Sequence, residues 1–323
     1  MDEIISIISF HFSIVMPLTK FYTTWALNNL AKETGKEPPQ SHDELLSRTE
    51  ETQLVRSLYR FLLYCNLFGV SHSPNYREHP RRGIDDGNSI FERFLYIYEP
   101  WEVEEMACVF TFSQQKYDQI FNNIHHDVHG SNPYYGGQYP PTPPGAFGFN
   151  MECQFYIFSL SVSRINYAQT GQIIGSMGCF LEGTISCVLE LLHHVLVEVK
   201  DLAQLVSVMR DSIKFIPRGF LDDGLDEATQ HVWNQQLQDL RPGWRGPPPF
   251  QGDSENHSPL AWDLTWEHFF TDWLLAETSL DIRCWGHMMW DAARLEHTGG
   301  KKVLIRKHEE RWKGQEWDAS EWV

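Results

Sequence analysis

The chain has 323 residues, of which 42% are hydrophobic and 14% aromatic, so it can fill a sizeable core and is not a disordered chain. Its 43 acidic and 26 basic residues give a formal charge of −17, which argues against a nucleic-acid binder because such proteins need a basic footprint. The 6 cysteines form no C-x-x-C pair, and the chain is long for a disulfide scaffold. We therefore expect reduced thiols in a cytoplasmic or nuclear protein.

The N-terminal part, residues 1–46, is predicted to be an apolar helix followed by a polar linker. Residues 4–18 are strongly apolar, but Asp2 and Glu3 precede them where a secretory signal carries basic residues. The apolar run is also short for a bilayer, so we expect no membrane span. We expect instead a helix that is buried or bound to a partner.

A helical domain over residues 47–323 is predicted to begin with a capping box formed by Ser47 and Glu50. The apolar residues that follow recur at alternating steps of four and three, which is one face of an α-helix: Leu54, Leu58, Phe61, Cys65 and Phe68. Gly69 is expected to end this helix.

The stretch from Ser89 to Phe121 predicts two helices that meet at a proline. Ser89 and Glu92 form a second capping box, and Pro100 disfavours an α conformation in the residue before it. Pro100 also suits the first turn of the next helix. The side chains expected to face the core are Trp101, Met106 and Phe110.

The middle of the chain is predicted to contain long loops and one atypical insert. Residues 71–88, 131–149 and 241–259 are rich in proline and glycine, which predicts irregular chain. Residues 154–178 stand apart because they contain one charged residue, Arg164. They are compatible with a buried strand pair, but our hypothesis is a retained intron or a gene-model error.

Helical patterns return in the second half. The first runs from Leu181 to about Phe215, where Asp201 is a candidate cap that would divide it into two helices. The second runs from Leu260 to Leu295, with glycines just beyond it. These patterns predict a mainly α protein, an irregular multi-helix domain with long loops.

One histidine cluster is the best candidate for a metal site: His125, His126, Asp127 and His129. On a helix, His125 and His129 are one turn apart and can share an ion, as in a metal-dependent hydrolase. The cluster lacks the H-E-x-x-H arrangement and lies where its helix should end. A solvated helix end is therefore the competing interpretation.

Tryptophans are concentrated near the C-terminus, where 9 of the 12 lie from Trp244 onward. Rings at helical spacing are typical of a core, but a ladder of them can also stack on a ligand, which gives a second alternative, a ligand-binding helical domain. Three tryptophans in the polar tail are candidate partner contacts: Trp312, Trp317 and Trp322.

Four phrases of the chain resemble a group of uncharacterised, F-box-like proteins of filamentous fungi. They are RSLYRFLLYCNLFG, FLYIYEPWEVEEMACVFTF, LEGTISCVLELLHHVL and WGHMMWDAARLE, and the resemblance covers about residues 49–295. In that group an F-box-like segment would bind the adaptor subunit of a cullin ubiquitin ligase. Here the leading Leu-Pro is absent, so the resemblance implies a degenerate or absent F-box, and it brings no catalytic residue.

The sequence therefore favours a protein-interaction module, an adaptor or degenerate F-box-type substrate receptor inside the cell. It contains no nucleophile elbow, phosphate loop or dinucleotide spacing, so we expect no cofactor and lean against an enzyme. A protein partner is expected, and the cullin-ligase adaptor is one candidate.

Overall fold

The structure is a computed structural model that describes residues 2–37, 46–69, 94–128, 181–212, 220–221, 250–254, 256–266 and 281–312. Within these ranges it is mainly helical and has no strand, which confirms the predicted fold class. The helices are α1 (Asp2–Phe10), α2 (Met16–Thr34), α3 (Arg48–Phe68), α4 (Pro100–Val128), α5 (Val188–His193), α6 (Leu202–Ser212), α7 (Leu260–Trp266), α8 (Ala292–Thr298) and α9 (Gly300–Trp312). The loops at 71–88 and 131–149, the insert at 154–178 and the Ser89–Glu92 capping box lie outside the described residues.

Helix α3 begins at the capping box that the sequence predicts. The Ser47 hydroxyl accepts a hydrogen bond from the Glu50 amide, and the Glu50 carboxylate accepts one from the Ser47 amide. The apolar face is also confirmed, since Leu54, Leu58 and Phe61 are almost completely buried. Because this face is continuous, α3 packs firmly against α4.

A layer of ion pairs accompanies the apolar contact between α3 and α4. Arg56 and Arg60 of α3 both lie within ion-pair distance of Glu102 and Glu105 of α4, and Ser57 donates to Glu105. The Glu105 side chain is fully buried. These contacts fix the register of the two helices, because a buried carboxylate needs its partners in place.

The core continues through α2 and the segment before α8. Tyr22 of α2 packs edge-on to Phe112 of α4, and both rings are fully buried. Trp285 and Trp290 are buried too, and the Trp290 indole donates to the Trp285 carbonyl at 2.8 Å. Trp262, Trp285 and Trp290, the C-terminal tryptophans whose side chains are described, therefore fill the core.

The sequence misplaced two features and assigned no element to a third. A 3-10 turn at Leu95–Ile97 stands where an α-helix was expected to reach Glu99, although Pro100 does begin α4. The pattern from Leu260 to Leu295 is interrupted by a turn at residues 284–286 and a 3-10 turn at His287–Met289. The polar tail begins as helix α9, because Val303 and Leu304 bury one side of it.

The helical pattern from Leu181 contains the break expected at Asp201 and one that was not expected. Residues 181–185 are helical, and α5 follows after a turn. The chain then leaves the helix at Val199 and resumes in α6, where the Asp201 carboxylate accepts the Gln204 amide at 2.8 Å. The prediction that Asp201 caps a separate helix is confirmed.

We expect Gly286→Ala to be much more destabilising than Gly35→Ala. Both glycines have positive φ, +62° and +65°, so both substitutions incur the left-handed backbone cost of about 1 kcal/mol. A Cβ at Gly35 meets nothing within 4 Å, whereas at Gly286 it overlaps the buried Tyr22 hydroxyl. We expect a total loss of about 3 kcal/mol for Gly286→Ala, measured by urea unfolding. Equal losses for the two variants would contradict this packing.

Glu105 gives a second prediction, on pH. Burial raises its pKa from 4.5 to about 7, although Arg56 and Arg60 oppose the shift. Between pH 4.5 and 7 the folded state therefore keeps a proton that the unfolded chain has released. This difference in proton binding stabilises the folded state fully below pH 4.5, and the stabilisation is lost as pH rises through 7. Relative to Glu105→Gln, which cannot titrate, the wild type should lose roughly 3 kcal/mol of unfolding free energy between acid and neutral pH. If the unfolding free energies of the wild type and of Glu105→Gln changed with pH in parallel, the prediction would be wrong.

Candidate functional site

Helix α1 carries an apolar face outside the core. Ile4, Ile5, Ile7 and Ile8 fall within an arc of about 160° at 100° per residue. Their side chains, with Phe12 one turn beyond, are between 50% and 68% exposed. Large apolar side chains so close together on a surface mark an interaction site more often than a solvated one.

The position of α1 follows from where the core begins. A π-helical turn, His11–Val15, joins α1 to α2 in one helix. The first contacts with the body occur at this junction, where the Phe10 ring meets Tyr59 and His11 Nδ1 lies 3.1 Å from the Tyr59 hydroxyl. Val15 is the first fully buried side chain. The residues before Phe10 therefore extend beyond the body.

The combined N-terminal helix, Glu3–Thr34, is long and apolar enough to cross a bilayer, with a mean hydropathy of 1.6 in its most apolar part. Val15, Leu18 and Tyr22 are fully buried in the core, so a span of about 20 residues would have to withdraw them from it. Of the most apolar part of this helix, 17% is buried.

A second constellation is buried between α4 and the segment that precedes α8. Cys108 Sγ lies 3.8 Å from His287 Nδ1, and His287 Nε2 lies 3.9 Å from Glu104 Oε1. The order thiol, imidazole, carboxylate is that of a cysteine hydrolase. Arg283 contacts both oxygens of Glu104 at 2.7 Å. We call these four residues the buried node.

The electrostatics of the buried node argue against nucleophilic chemistry. Glu104, Cys108 and His287 have no exposed surface. Burial raises the pKa of the Cys108 thiol well above its usual range, so the reactive thiolate is disfavoured. Burial and the Arg283 charge lower the pKa of His287 well below its usual range, so the imidazole is neutral. The node therefore ties two segments together and offers no accessible nucleophile.

The same three side chains also satisfy the spacing of a metal site, since one ligand atom from each lies within 4.8 Å of the others. The imidazole, however, turns one nitrogen toward Cys108 and the other toward Glu104, and only one of them can bind a given ion. Arg283 donates one hydrogen bond to each carboxylate oxygen and so supplies the positive charge that Glu104 needs. This arrangement favours an ion pair over a metal centre.

The site residues predicted from the sequence lie at the ends of described helices or outside the described residues. His125, His126 and Asp127 are in the last turn of α4, but their side chains are outside the described residues, as is all of His129. Trp312 ends α9, with its side chain likewise outside. Trp317 and Trp322 also lie outside. The structure gathers none of them into a described site, so the metal-site and ligand-stacking hypotheses stay predictions.

Sequence reasoning missed the buried node. Glu104 and Cys108 are one turn apart on α4, but a glutamate in the first turns of a helix is normally explained by the helix dipole. Arg283, the partner of Glu104, lies 179 residues further along the chain. No spacing rule links positions so far apart. The apolar sequence around Arg283 is the one available signal, because a charge among buried residues needs a partner.

We expect Arg283→Met to destabilise the protein by about 4 kcal/mol, because it leaves the Glu104 carboxylate buried without its cation. Glu104→Leu combined with Arg283→Met removes both charges and should recover most of that loss. Chemical unfolding of the two variants and the wild type measures the coupling. A double variant that is less stable than Arg283→Met would contradict a structural role for the pair.

Comparison with known proteins adds no family to this description. No protein-family model, curated protein or solved structure matches the chain. The resemblance to the fungal F-box-like group therefore stays a prediction. What the chain does has to follow from its own surfaces, and the exposed face of α1 is the first of these.

Proposed function

We propose that this chain is an intracellular protein-interaction module whose helix α1 docks in an apolar groove of a partner protein. One observation carries the proposal: the apolar face of α1 lies outside the core and is more than half exposed. Residues one turn apart, such as Ile4 and Ile8, are spaced as the anchors of a helix that lies in a groove.

The size of the face supports specific binding. Each large aliphatic or aromatic side chain gains about 1.5–3 kcal/mol when fully buried, and five that are already partly covered gain roughly half of that each. The sum is comparable to the cost of association, which is about 4–15 kcal/mol. Docking of α1 therefore supplies the central contact, and polar contacts at its border add the rest of the affinity.

The charge distribution supports a protein partner with basic residues beside its groove. The sequence carries Asp2 and Glu3 at the tip and no lysine or arginine before Lys20. Helices that bind membrane surfaces use cations on their polar face to reach anionic lipids, and α1 has serines there instead. A second copy of this chain also brings a charge of −17, which repels the first.

The resemblance to F-box-like proteins suggests one partner to test, the adaptor subunit of a cullin ubiquitin ligase. In that group the adaptor-binding segment precedes the helical domain, and α1 occupies the corresponding place here. The mode of binding that we propose does not require a complete F-box, since it depends only on the apolar face of α1.

The decisive variant is Ile5→Asp combined with Ile8→Asp, which places two charges on the apolar face. Its control is Ser6→Asp combined with Ser9→Asp, which places the same charges on the opposite, polar face of α1. Both pairs are exposed, so circular dichroism and melting temperature should not change. With benzoylphenylalanine in place of Phe12, which keeps an aromatic ring at this position of the face, the otherwise unchanged chain should capture a protein that forms a 1:1 complex with the wild type when both components are purified. We expect the isoleucine variant, but not the serine control, to weaken that complex by at least about tenfold.

The competing occupants give different results. A dimer in sedimentation that the isoleucine variant abolishes would replace the proposal with self-association. Flotation with phosphatidylcholine or phosphatidylserine vesicles that the same variant abolishes would replace it with membrane docking. Purified cullin-ligase adaptor that binds both variants equally would remove the adaptor as the α1 partner.

A further inference from the structure

A groove of about 600 Å³ between α2 and α4 has a composition opposite to that of the whole chain. Its lining consists of three lysines, four amides, a threonine and two aromatic residues, with no carboxylate among the described lining residues. The lysines are Lys20 and Lys32 of α2 and Lys116 of α4. In a chain with 43 acidic residues, such a groove is electrostatically distinct.

The three lysines make no ion pair in the part of the chain that the structure describes. Elsewhere in that part, Lys301 contacts Glu296, and Lys307 lies 3.2 Å from Glu33. Lys116 is half-buried, with its ammonium 5.9 Å from the Phe112 ring centre. Burial and repulsion by the neighbouring Lys32 ammonium lower the pKa of Lys116, and an anion between the two groups would relieve that repulsion.

The floor of the groove is held in place by hydrogen bonds. The Trp25 indole donates to Gln115 Oε1 at 3.1 Å, and the Gln115 amide donates to Cys284 Sγ. Asn29 donates to the Cys284 carbonyl at 2.7 Å. The floor is therefore fixed before any ligand arrives, which lowers the entropy cost of binding.

We infer that this groove binds an extended acidic segment of a partner protein. Lys20 and Lys32 are separated by roughly 18 Å along α2 at 1.5 Å per residue, so a single phosphate or carboxylate reaches one end only. An extended chain covers that distance with about six residues at 3.3 Å each. Acidic side chains at its two ends meet Lys20 and the Lys32–Lys116 pair, and its middle lies over the amides.

Nucleic acid is the other polyanion that fits an extended basic groove, and the observations favour peptide over it. The described lining contains no arginine, and the rest of the protein is strongly acidic. A phosphate backbone would meet that acidic surface as soon as it left the groove, whereas a short peptide segment need not. This surface is separate from α1, so the inference does not depend on the function proposed above.

The test uses the purified full-length chain and a fluorescein-labelled hexapeptide, DEAFDE, in fluorescence anisotropy at low salt. We expect saturable binding that added salt weakens. Lys32→Gln combined with Lys116→Gln should weaken it by about tenfold, and Lys20→Gln by a smaller factor. Lys302→Gln removes the same charge from α9, outside the groove, and should leave binding unchanged. The α1 variants should also bind the peptide normally, which separates the two proposals.

Several results would overturn the inference. Absence of saturable binding, or equal binding of the amide peptide NQAFNQ, would remove recognition of an acidic segment. Competition by inorganic phosphate at concentrations similar to the peptide would indicate a small-anion site. Tighter binding of a short oligothymidylate would indicate nucleic acid, and equal weakening by Lys302→Gln would indicate a nonspecific effect of charge.

Discussion

Buried carboxylates and the arginines that neutralise them organise this protein. Glu50, Glu104 and Glu105 are each at most 1% exposed, and a carboxylate in such a place costs several kcal/mol unless a cation and hydrogen bonds compensate it. Glu104 contacts Arg283 through two hydrogen bonds, and Glu50 contacts Arg294 in the same way. Each pair joins residues far apart in the chain. The fold therefore depends on bringing the segment before α9 against α3 and α4 in one register.

The Glu50 carboxylate shows how local and tertiary structure share one group. It closes the capping box of α3 through the Ser47 amide, and it also accepts the Asp291 amide at 3.2 Å and the Arg294 guanidinium. The beginning of α3 and the beginning of α8 are thus held by the same side chain. The Ser47 hydroxyl reinforces the junction by donating to Asp291. Such a junction leaves little freedom in how the C-terminal helices sit on the body.

Two surfaces of the described residues differ from the rest of the protein and are not used by the buried ion pairs. Four arginines pair with buried glutamates and are themselves at most 22% exposed, so they add little positive charge to the outer surface, where the net negative charge dominates. The lysines of the α2–α4 groove are an exception and form a local cationic site. Helix α1 is the other exception, because the fully buried core begins at Val15 and the isoleucines of α1 lie outside it, at least half exposed. Both surfaces are suited to protein partners.

Local features of the fold could be predicted from the sequence, and long-range ones could not. The Ser47–Glu50 cap, the buried stripe of α3, the start of α4 at Pro100 and the cap at Asp201 all depend on neighbours within one or two turns. The pairing of Glu104 with Arg283 depends on contact between distant segments, and no pattern in a single sequence records it. The groove is lined by residues of both α2 and α4, so it could not be predicted without knowing that these helices lie side by side. The exposure of α1 depends on where the core ends, which a single sequence does not record. The apolar residues 4–18 were therefore equally compatible with a buried helix.

Hydrogen exchange of the purified full-length chain, followed by mass spectrometry, tests the central claim most directly. Fully buried side chains surround the backbone of residues 106–109 and 285–290, and the ion pairs of Glu104 and Glu105 fix the same region, so their amides should exchange slowest. The amides of residues 3–9 should exchange fastest among the described helices, because the α1 isoleucines are at least half exposed and no described helix packs over them. Protection of α1 equal to that of residues 106–109 would contradict the account, since it would mean that the apolar face is already covered.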